Sequence, residues 1–331
     1  MHFWGHFSCE IRNLKFNRLI EVRTKVVYEN AMSLISQELI ILTSPPASGK
    51  TYWICKLQET FPEERILVIS PLRALADECH QNWKDTILVM TPEEWSTKKV
   101  SSRVVVFDEY HLYLYWGDTF RPLMWEMFFE VTQYSEFTFL LTATMSIEMR
   151  DLICHFTCHF DSITWCDFGN HKLKYIPRSY IKAPSKKWLK QQIKTEEKQK
   201  NVKLIFCKYR QEVFALEKEL TFEGFNCISC VGGEAGLMKD KLMSNPDPDF
   251  IICTTVLSHG VNLPDIRKVY FLYKTNNRDF WIQMVARGGR RGKSYDVLAL
   301  EAPYELNWDQ FRNFLSVLRL TLKQKLSLYR I

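Results

Sequence analysis

The sequence predicts an α/β protein of two domains, each a mostly parallel sheet covered by helices. Three observations carry this. The chain has 331 residues, enough for two domains at roughly 150 residues each. Short apolar runs alternate with helical stretches through both halves, as strands joined by crossover helices do. Runs such as Val104-Val105-Val106-Phe107 are continuously apolar, which suits strands buried on both faces.

In order, the first half offers strands at Glu38–Leu42, Ile66–Ser70, Ile87–Met90, Arg103–Phe107 and Phe137–Leu141, with helices at Lys50–Phe61 and Ala74–Trp83. A second series of strands runs Lys203–Phe206, Phe225–Ser229, Phe250–Cys253, Val269–Tyr273 and Tyr295–Leu300. The polar, basic stretch from about His171 to Asn201 holds Lys186-Lys187 and the charged run Lys194–Lys200. It reads as a linker and solvated helix face, which puts the expected domains at 1–175 and 176–331. Beyond the last strand, Phe311, Phe314, Leu315, Leu318, Leu322 and Leu326 share one face of an expected helix, Trp308–Leu328, suited to packing on the second domain.

Composition narrows the class without naming a function. Hydrophobic residues make up 46% and aromatics 14%, which excludes a chain disordered throughout. No apolar run approaches about 18 residues and the first residues lack a signal-peptide core, so no membrane partner is expected. Lys+Arg 44 against Asp+Glu 38 leaves +6, which permits a polyanionic partner without demanding one. The ten cysteines include Cys154 and Cys158 beside His155 and His159, and the pair Cys227 and Cys230. The latter pair falls on a strand, where residues three apart face opposite ways. Reduced, buried thiols in a cytoplasmic protein are therefore expected rather than a metal site.

The chemistry begins at Thr43-Ser44-Pro45-Pro46-Ala47-Ser48-Gly49-Lys50-Thr51, which follows a strand and opens a helix. A phosphate loop needs curled backbone N–H groups, a lysine for the outer phosphates and a hydroxyl for Mg²⁺. Ser48, Gly49, Lys50 and Thr51 supply that ending, although Ser44 stands where the usual form has its first glycine. Asp108-Glu109-Tyr110-His111 ends the most apolar strand, where a carboxylate faces the crevice at the strand's carboxyl end. There Asp108 can hold Mg²⁺ while Glu109 orients and deprotonates the attacking water. Farther on, Gln283, Arg287 and Arg290 stand at offsets of 0, 4 and 7, one face of a helix. Arginines so placed can stabilise charge on a transferred phosphoryl group. The glycines that follow Arg287 predict a helix end within this run.

Loop, acidic box and arginine run, in this order on two α/β domains, resemble the superfamily 2 helicases of the DExH type. Further stretches match in order: Ser70-Pro71-Leu72-Arg73-Ala74-Leu75-Ala76, Thr91-Pro92-Glu93-Glu94, Thr142-Ala143-Thr144, Leu204-Ile205-Phe206-Cys207, and Thr254 through Gly260-Val261-Asn262-Leu263-Pro264. The forms Pro-Leu-Arg-Ala-Leu-Ala and Gly-Val-Asn-Leu-Pro, with Gly117-Asp118 after the acidic box, are most similar to the superkiller-like branch that includes archaeal repair helicases. The resemblance covers about residues 40 to 292. It implies two RecA-like domains of the P-loop NTPase type, with ATP in the cleft between them and a single strand across their tops. By the same resemblance Lys50, Thr51 and Asp108 bind phosphate and Mg²⁺. Glu109, Gln283, Arg287 and Arg290 carry hydrolysis, Arg73, Thr91 and Thr254 touch the nucleic-acid backbone, and His111 and Thr142 couple nucleotide state to strand grip. Expected partners are single-stranded or partly duplex nucleic acid and a protein supplying specificity or processivity, and the expected state is a monomer.

The sequence departs from that pattern in three places. Ala286 replaces a glycine before the first arginine of the last motif. The branch's adenine-recognising glutamine, about 23 residues before the loop lysine, falls near Val27, where there is none; base selectivity stays open. Family members usually append winged-helix and helical-bundle domains, for which Lys293–Ile331 leaves room for only a strand and a helix. The usual strand-separating hairpin has little space between Val269 and Asn277. The expected function is thus ATP-dependent, nucleic-acid-stimulated hydrolysis driving helicase movement. A translocase or remodelling ATPase without robust unwinding and a hydrolysis-deficient binding module stand as alternatives.

Overall fold

The structure, a computed structural model, describes residues 10–11, 37–71, 86–117, 121–146, 149, 153, 160–258, 262–275 and 277–301. The chain divides into two compact units between Lys172 and Leu173. Each unit is built on one sheet, and every described strand pairing is parallel.

In the first unit the strands are β1 (Glu10–Ile11), β2 (Glu38–Thr43), β3 (Ile66–Ile69), β4 (Ile87–Met90), β5 (Val104–Phe107), β6 (Phe137–Thr142) and β7 (Ser162–Asp167). Their spatial order is β1-β7-β2-β6-β5-β3-β4. Helices α1 (Lys50–Thr60), α2 (Pro92–Lys98), α3 (His111–Gly117) and α4 (Leu123–Thr132) join them. Alternate residues of each strand face opposite ways. Ile40, Leu42, Val68 and Val106 pack on Trp53, Ile54 and Leu57 of α1, while Ile41, Ile69, Val105 and Phe107 meet α3 and α4. The inner strand β5 is buried along its whole length, which its four consecutive apolar side chains dictate. β7 is a strand that hydrophobic runs do not reveal. Its outer residues are exposed or half-buried, and register with β2, Thr43 against Asp167, holds it.

The second unit orders its strands β10-β11-β9-β12-β13-β8, with β8 (Ser179–Lys182), β9 (Val202–Phe206), β10 (Cys227–Cys230), β11 (Phe250–Cys253), β12 (Ile266–Phe271) and β13 (Asp296–Ala299). Its helices are α5 (Lys186–Lys194), α6 (Arg210–Phe222), α7 (Met238–Ser244) and α8 (Arg278–Val285). The expected linker is a strand and a helix of this unit instead, β8 and α5. Trp188, Leu189 and Ile193 turn one face of α5 into the core beside Val213, Leu216 and Leu220 of α6. The lysines on the other side pair with α6: Lys186 with Glu212, Lys190 with Glu219, and Lys194 with both Glu219 and Glu223. A basic run that reads as solvated is thus half of an ion-pair seam between two helices.

Cys227 and Cys230 lie on β10 as expected, and the described cysteines are free thiols. Cys154, Cys158, Arg73, the helix at 74–83, Val27 and the helix at 308–328 lie outside the described residues. Among the described residues no helix is long and apolar enough to cross a membrane.

Candidate active site

Three of the first unit's loops leave the same sheet edge. β2 and β5 both flank β6, so the carboxyl ends of these strands set Thr43–Lys50, Asp108–His111 and Thr142–Thr144 side by side. Chain order reverses here, since β2 runs on to β3 across the positions that β5 and β6 fill later. That switch point is where open α/β sheets bind ligands.

The phosphate loop is shaped by backbone conformation. Gly49 caps α1 at φ 102° and ψ 26°, a left-handed geometry that glycine adopts without strain. Open space surrounds it, so conformation, not crowding, requires the glycine. Ala47 also has positive φ, 60°. The Ser48 N–H donates to Pro45 O at 3.2 Å and the Ser44 N–H to Thr142 O at 3.0 Å. The Ser48 hydroxyl donates to Ser44 Oγ at 2.9 Å, so the serine in place of glycine stitches the loop. No acidic side chain occupies the first turn of α1, leaving its partial positive charge unopposed there. Lys50 is the first helical residue and half-buried; the Thr51 side chain lies outside the described set.

The acidic box stands on an aromatic base. Phe107 packs edge-on against Tyr113, ring centroids 5.4 Å apart, and Tyr110 stacks on Tyr113 at 5.5 Å. Phe128 closes the group 5.0 Å from Phe107. Each such pair contributes about 0.5–1.5 kcal/mol beyond area burial. The Asp108 N–H continues the ladder to Ile69 O at 3.0 Å and the Tyr110 N–H reaches Leu141 O at 2.9 Å. Between these tethers Glu109 is forced to φ 46°, a strained position for a residue with a side chain. Burial, then the charge of Glu109, pushes the Asp108 carboxyl up to about 7, against the pull of Lys50.

The two residues expected to couple are in contact. His111 Nδ1 lies 3.0 Å from Thr142 Oγ1, and both side chains are fully buried. The Thr142 hydroxyl donates to Thr144 O at 2.8 Å, so its remaining capacity is to accept, and Nδ1 is assigned the proton. Glu109 Oε2 lies 3.5 Å from the same nitrogen. Thr91 is a different matter. Its Oγ1 accepts from the Glu94 N–H at 3.3 Å while Glu94 accepts from the Thr91 N–H at 3.0 Å, a capping box that starts α2. Thr91 is buried, and its side chain also hydrogen-bonds the Glu93 carboxylate, helping Arg121 hold that group below its usual range against burial.

The second unit holds its candidates at its own strand ends. Thr254 follows β11, its N–H 3.3 Å from Cys230 O. Gln283 lies on α8, whose N-cap Asn277 accepts from Asp279 N–H and Phe280 N–H. The expected common helix face for Gln283, Arg287 and Arg290 does not form. α8 ends at Val285; the Arg287 N–H bonds Met284 O and the Gly288 N–H bonds Val285 O. Arg290 opens a separate turn, 290–292. The cause is Gly288-Gly289: Tyr295's ring lies where any Cβ on either would stand, and Gly289 has φ 62°. Gln283 and Arg287 are 4% and 3% exposed. Burial raises the Cys253 thiol well above its ordinary range, and the Arg287 charge opposes the rise.

Asp167 and Asn170, which do not stand out in the sequence, brace this edge together with Thr43, which the loop motif includes without a role of its own. The usable signal was Asp-Phe-Gly-Asn directly after an alternating stretch, a turn in which Asp accepts from following backbone N–H groups.

The architecture is that of two RecA-like domains. A variant of Dbp5 from S. cerevisiae, bound to a Gle1 variant and IP6, superposes with a TM-score of 0.57 at 15% identity, over 92% of this chain and 90% of that one. Residues 185–292 match the helicase conserved C-terminal domain. The chain is also similar to the RecQ-like DNA helicase BLM of Xenopus laevis, 23% identical over 73% of this chain and 18% of that protein. ATP-dependent helicase wrn-1 of Caenorhabditis elegans is 25% identical over 63% and 21% respectively. The chain thus spans about a fifth of the length of these relatives. These likenesses are to helicases, through residues 185–292 of the second unit and through relatives 23% and 25% identical.

Proposed function

We propose that the protein is a nucleic-acid-dependent NTPase that hydrolyses ATP with Mg²⁺ and moves along a single strand. The observation that supports this most is the Glu109 carboxylate, held in a strained backbone position beside buried Asp108 and 3.5 Å from a histidine bonded to the Thr142 segment. A carboxylate that reads both the phosphate edge and a buried relay suits hydrolysis that responds to a second ligand.

In this reading the N–H groups of Gly49 and of the first turn of α1, with Lys50, bind the phosphates. Asp108 fits a divalent cation, because burial beside Glu109 makes its charge costly until a cation offsets it. Mg²⁺ would spread the charge of the phosphate oxygens. Glu109 orients the water and takes its proton. Gln283, Arg287 and Arg290 are assigned to the same reaction by motif order, with Thr51 as the second Mg²⁺ contact and Arg73, Thr91 and Thr254 on the nucleic-acid backbone. Placement in the DExH, superkiller-like branch rests on the forms of residues 71–76 and 260–264. A relative named as a DNA helicase, 23% identical, leaves the strand type open. A translocase without robust unwinding is favoured by the short passage from β12 to α8, residues 272–277, which has no room for a separating hairpin.

The test is NTP turnover with single-stranded DNA, single-stranded RNA or neither, using ATP and GTP at low and high salt. ATP turnover stimulated by one strand, weaker at high salt and absent in Glu109→Gln, is the expected result. Nucleic-acid binding without turnover on either nucleotide would instead indicate a degenerate binding module.

A further inference from the structure

We propose that the Asp167–His171 loop is a brace fixing the phosphate loop against the Thr142–Met145 segment, with Asp167 and Asn170 as positioning residues; this rests on the NTPase reading above. The loop is bonded at both ends of its short span. Toward the phosphate loop, Asp167 Oδ1 accepts from Thr43 Oγ1 at 3.0 Å, and Thr43 Oγ1 in turn accepts from Trp165 Nε1 at 3.1 Å. The Phe168 N–H reaches Thr43 O at 2.7 Å. Gly169, at φ +129°, lies so close to Pro45 that a Cβ would stand 3.1 Å from its ring.

Toward the other segment, the Asn170 amide closes a two-bond ring on Met145. It accepts from the Met145 N–H at 2.8 Å and donates to Met145 O at 2.8 Å. The His171 N–H donates to Ala143 O at 3.3 Å. The same Asp167 oxygen that holds Thr43 accepts the N–H groups of Gly169 and Asn170, at 2.8 and 2.6 Å. One carboxylate oxygen therefore sets both the strand end preceding the phosphate loop and the residue that grips Met145. From Met145 the chain leads through Thr144 to Thr142, and from Thr142 to His111 and Glu109. Neither ordinary packing nor strand pairing requires a side-chain amide to pair with both the N–H and the carbonyl of one residue. Its geometry fixes the spacing of two functional loops.

The test uses the full chain with variants Thr43→Val, Thr43→Ser, Asp167→Asn and Asn170→Ala, reading affinity for a fluorescent ATP analogue, stimulated kcat and thermal melting. Thr43→Val and Asp167→Asn are expected to weaken nucleotide binding about tenfold, with Thr43→Ser restoring it. Asn170→Ala should leave that affinity within about twofold and lower stimulated kcat about tenfold. Wild-type values in all variants, while Glu109→Gln abolishes turnover, would overturn the brace alone. A wild-type chain that neither binds nor turns over ATP would overturn the underlying reading with it. If Asp167→Asn fails to fold, Thr43→Val and Asn170→Ala decide; unfolding of all three assigns the loop a purely structural role and overturns the proposal.

Discussion

The two units present their candidate residues by opposite means. In the first, function sits at strand ends and is held by directional bonds: a hydroxyl to a histidine, a carboxylate to a threonine, an amide to a peptide unit. In the second, Gln283 and Arg287 are placed by packing: a short helix, two glycines and the Tyr295 ring that fills the space beneath them. Bonds and packing fail differently. A polar substitution of equal shape removes a bond and leaves the fold, whereas an added methyl in a filled space moves backbone. The first unit should therefore lose activity without stability, and the second should lose both together.

Glu109→Gln is the largest expected effect. Turnover should fall about 10²–10⁴-fold with the melting temperature within about 2 °C of wild type, measured by phosphate release and calorimetry. A parallel fall in melting temperature would break the comparison. Gly288→Ala tests the other side, because its methyl must displace Tyr295. A loss of about 1–3 kcal/mol, read by chemical denaturation, should accompany reduced turnover. Gly289→Ala adds left-handed strain of about 1–2 kcal/mol to the same clash.

Asp108→Asn should move stability the other way. The Asp108 carboxyl is raised to about 7 by burial and Glu109; ionised at neutral pH it disfavours the fold, so the amide should raise the metal-free melting temperature by about 2–5 °C while removing turnover. For wild type the sign follows: this penalty is absent below the ordinary value of 3.8, grows as pH rises from there to about 7, and is constant above it. The smallest effect is at the α5–α6 seam. Hydrogen bonds from Lys194 lower the Glu219 carboxyl below its usual 4.5. Its stabilisation is present above that pH and is lost as pH falls through the lowered value. Glu219→Gln should cost no more than about 0.5 kcal/mol at pH 7, and less in high salt.

Sequence made much of the fold legible for a simple reason: the inner strands are apolar on both faces. β2 to β6, β9 to β11 and β13 lie where hydrophobic runs put them, within a residue or two, while β12 starts three residues earlier than its run. β7 and β8 escaped because part of each faces solvent, and their signal sinks into ordinary polar sequence. α5 escaped for a related reason. Its lysines read as solvent-facing, and only the glutamates of α6, more than twenty residues away, turn them into partners. At the site, the strand-end positions of Lys50, Asp108 and Glu109 were legible because their motifs follow apolar strands. The His111–Thr142 bond fell where family likeness expected a functional link. The common face of Gln283, Arg287 and Arg290 did not form: the glycines predicted a helix end within the run, but sequence alone locates neither the stop at Val285 nor the ring for which Gly288-Gly289 makes room.

The left-handed backbone at Glu109 has a practical consequence for anyone improving this protein. Glycine would relax that residue by about 1 kcal/mol and delete the carboxylate in one step. A selection that scored only heat tolerance or soluble yield would therefore drift toward chains that survive better and lack the carboxylate proposed to activate water. Libraries built from this sequence should hold position 109 constant, and an unexpectedly robust clone should first be sequenced there.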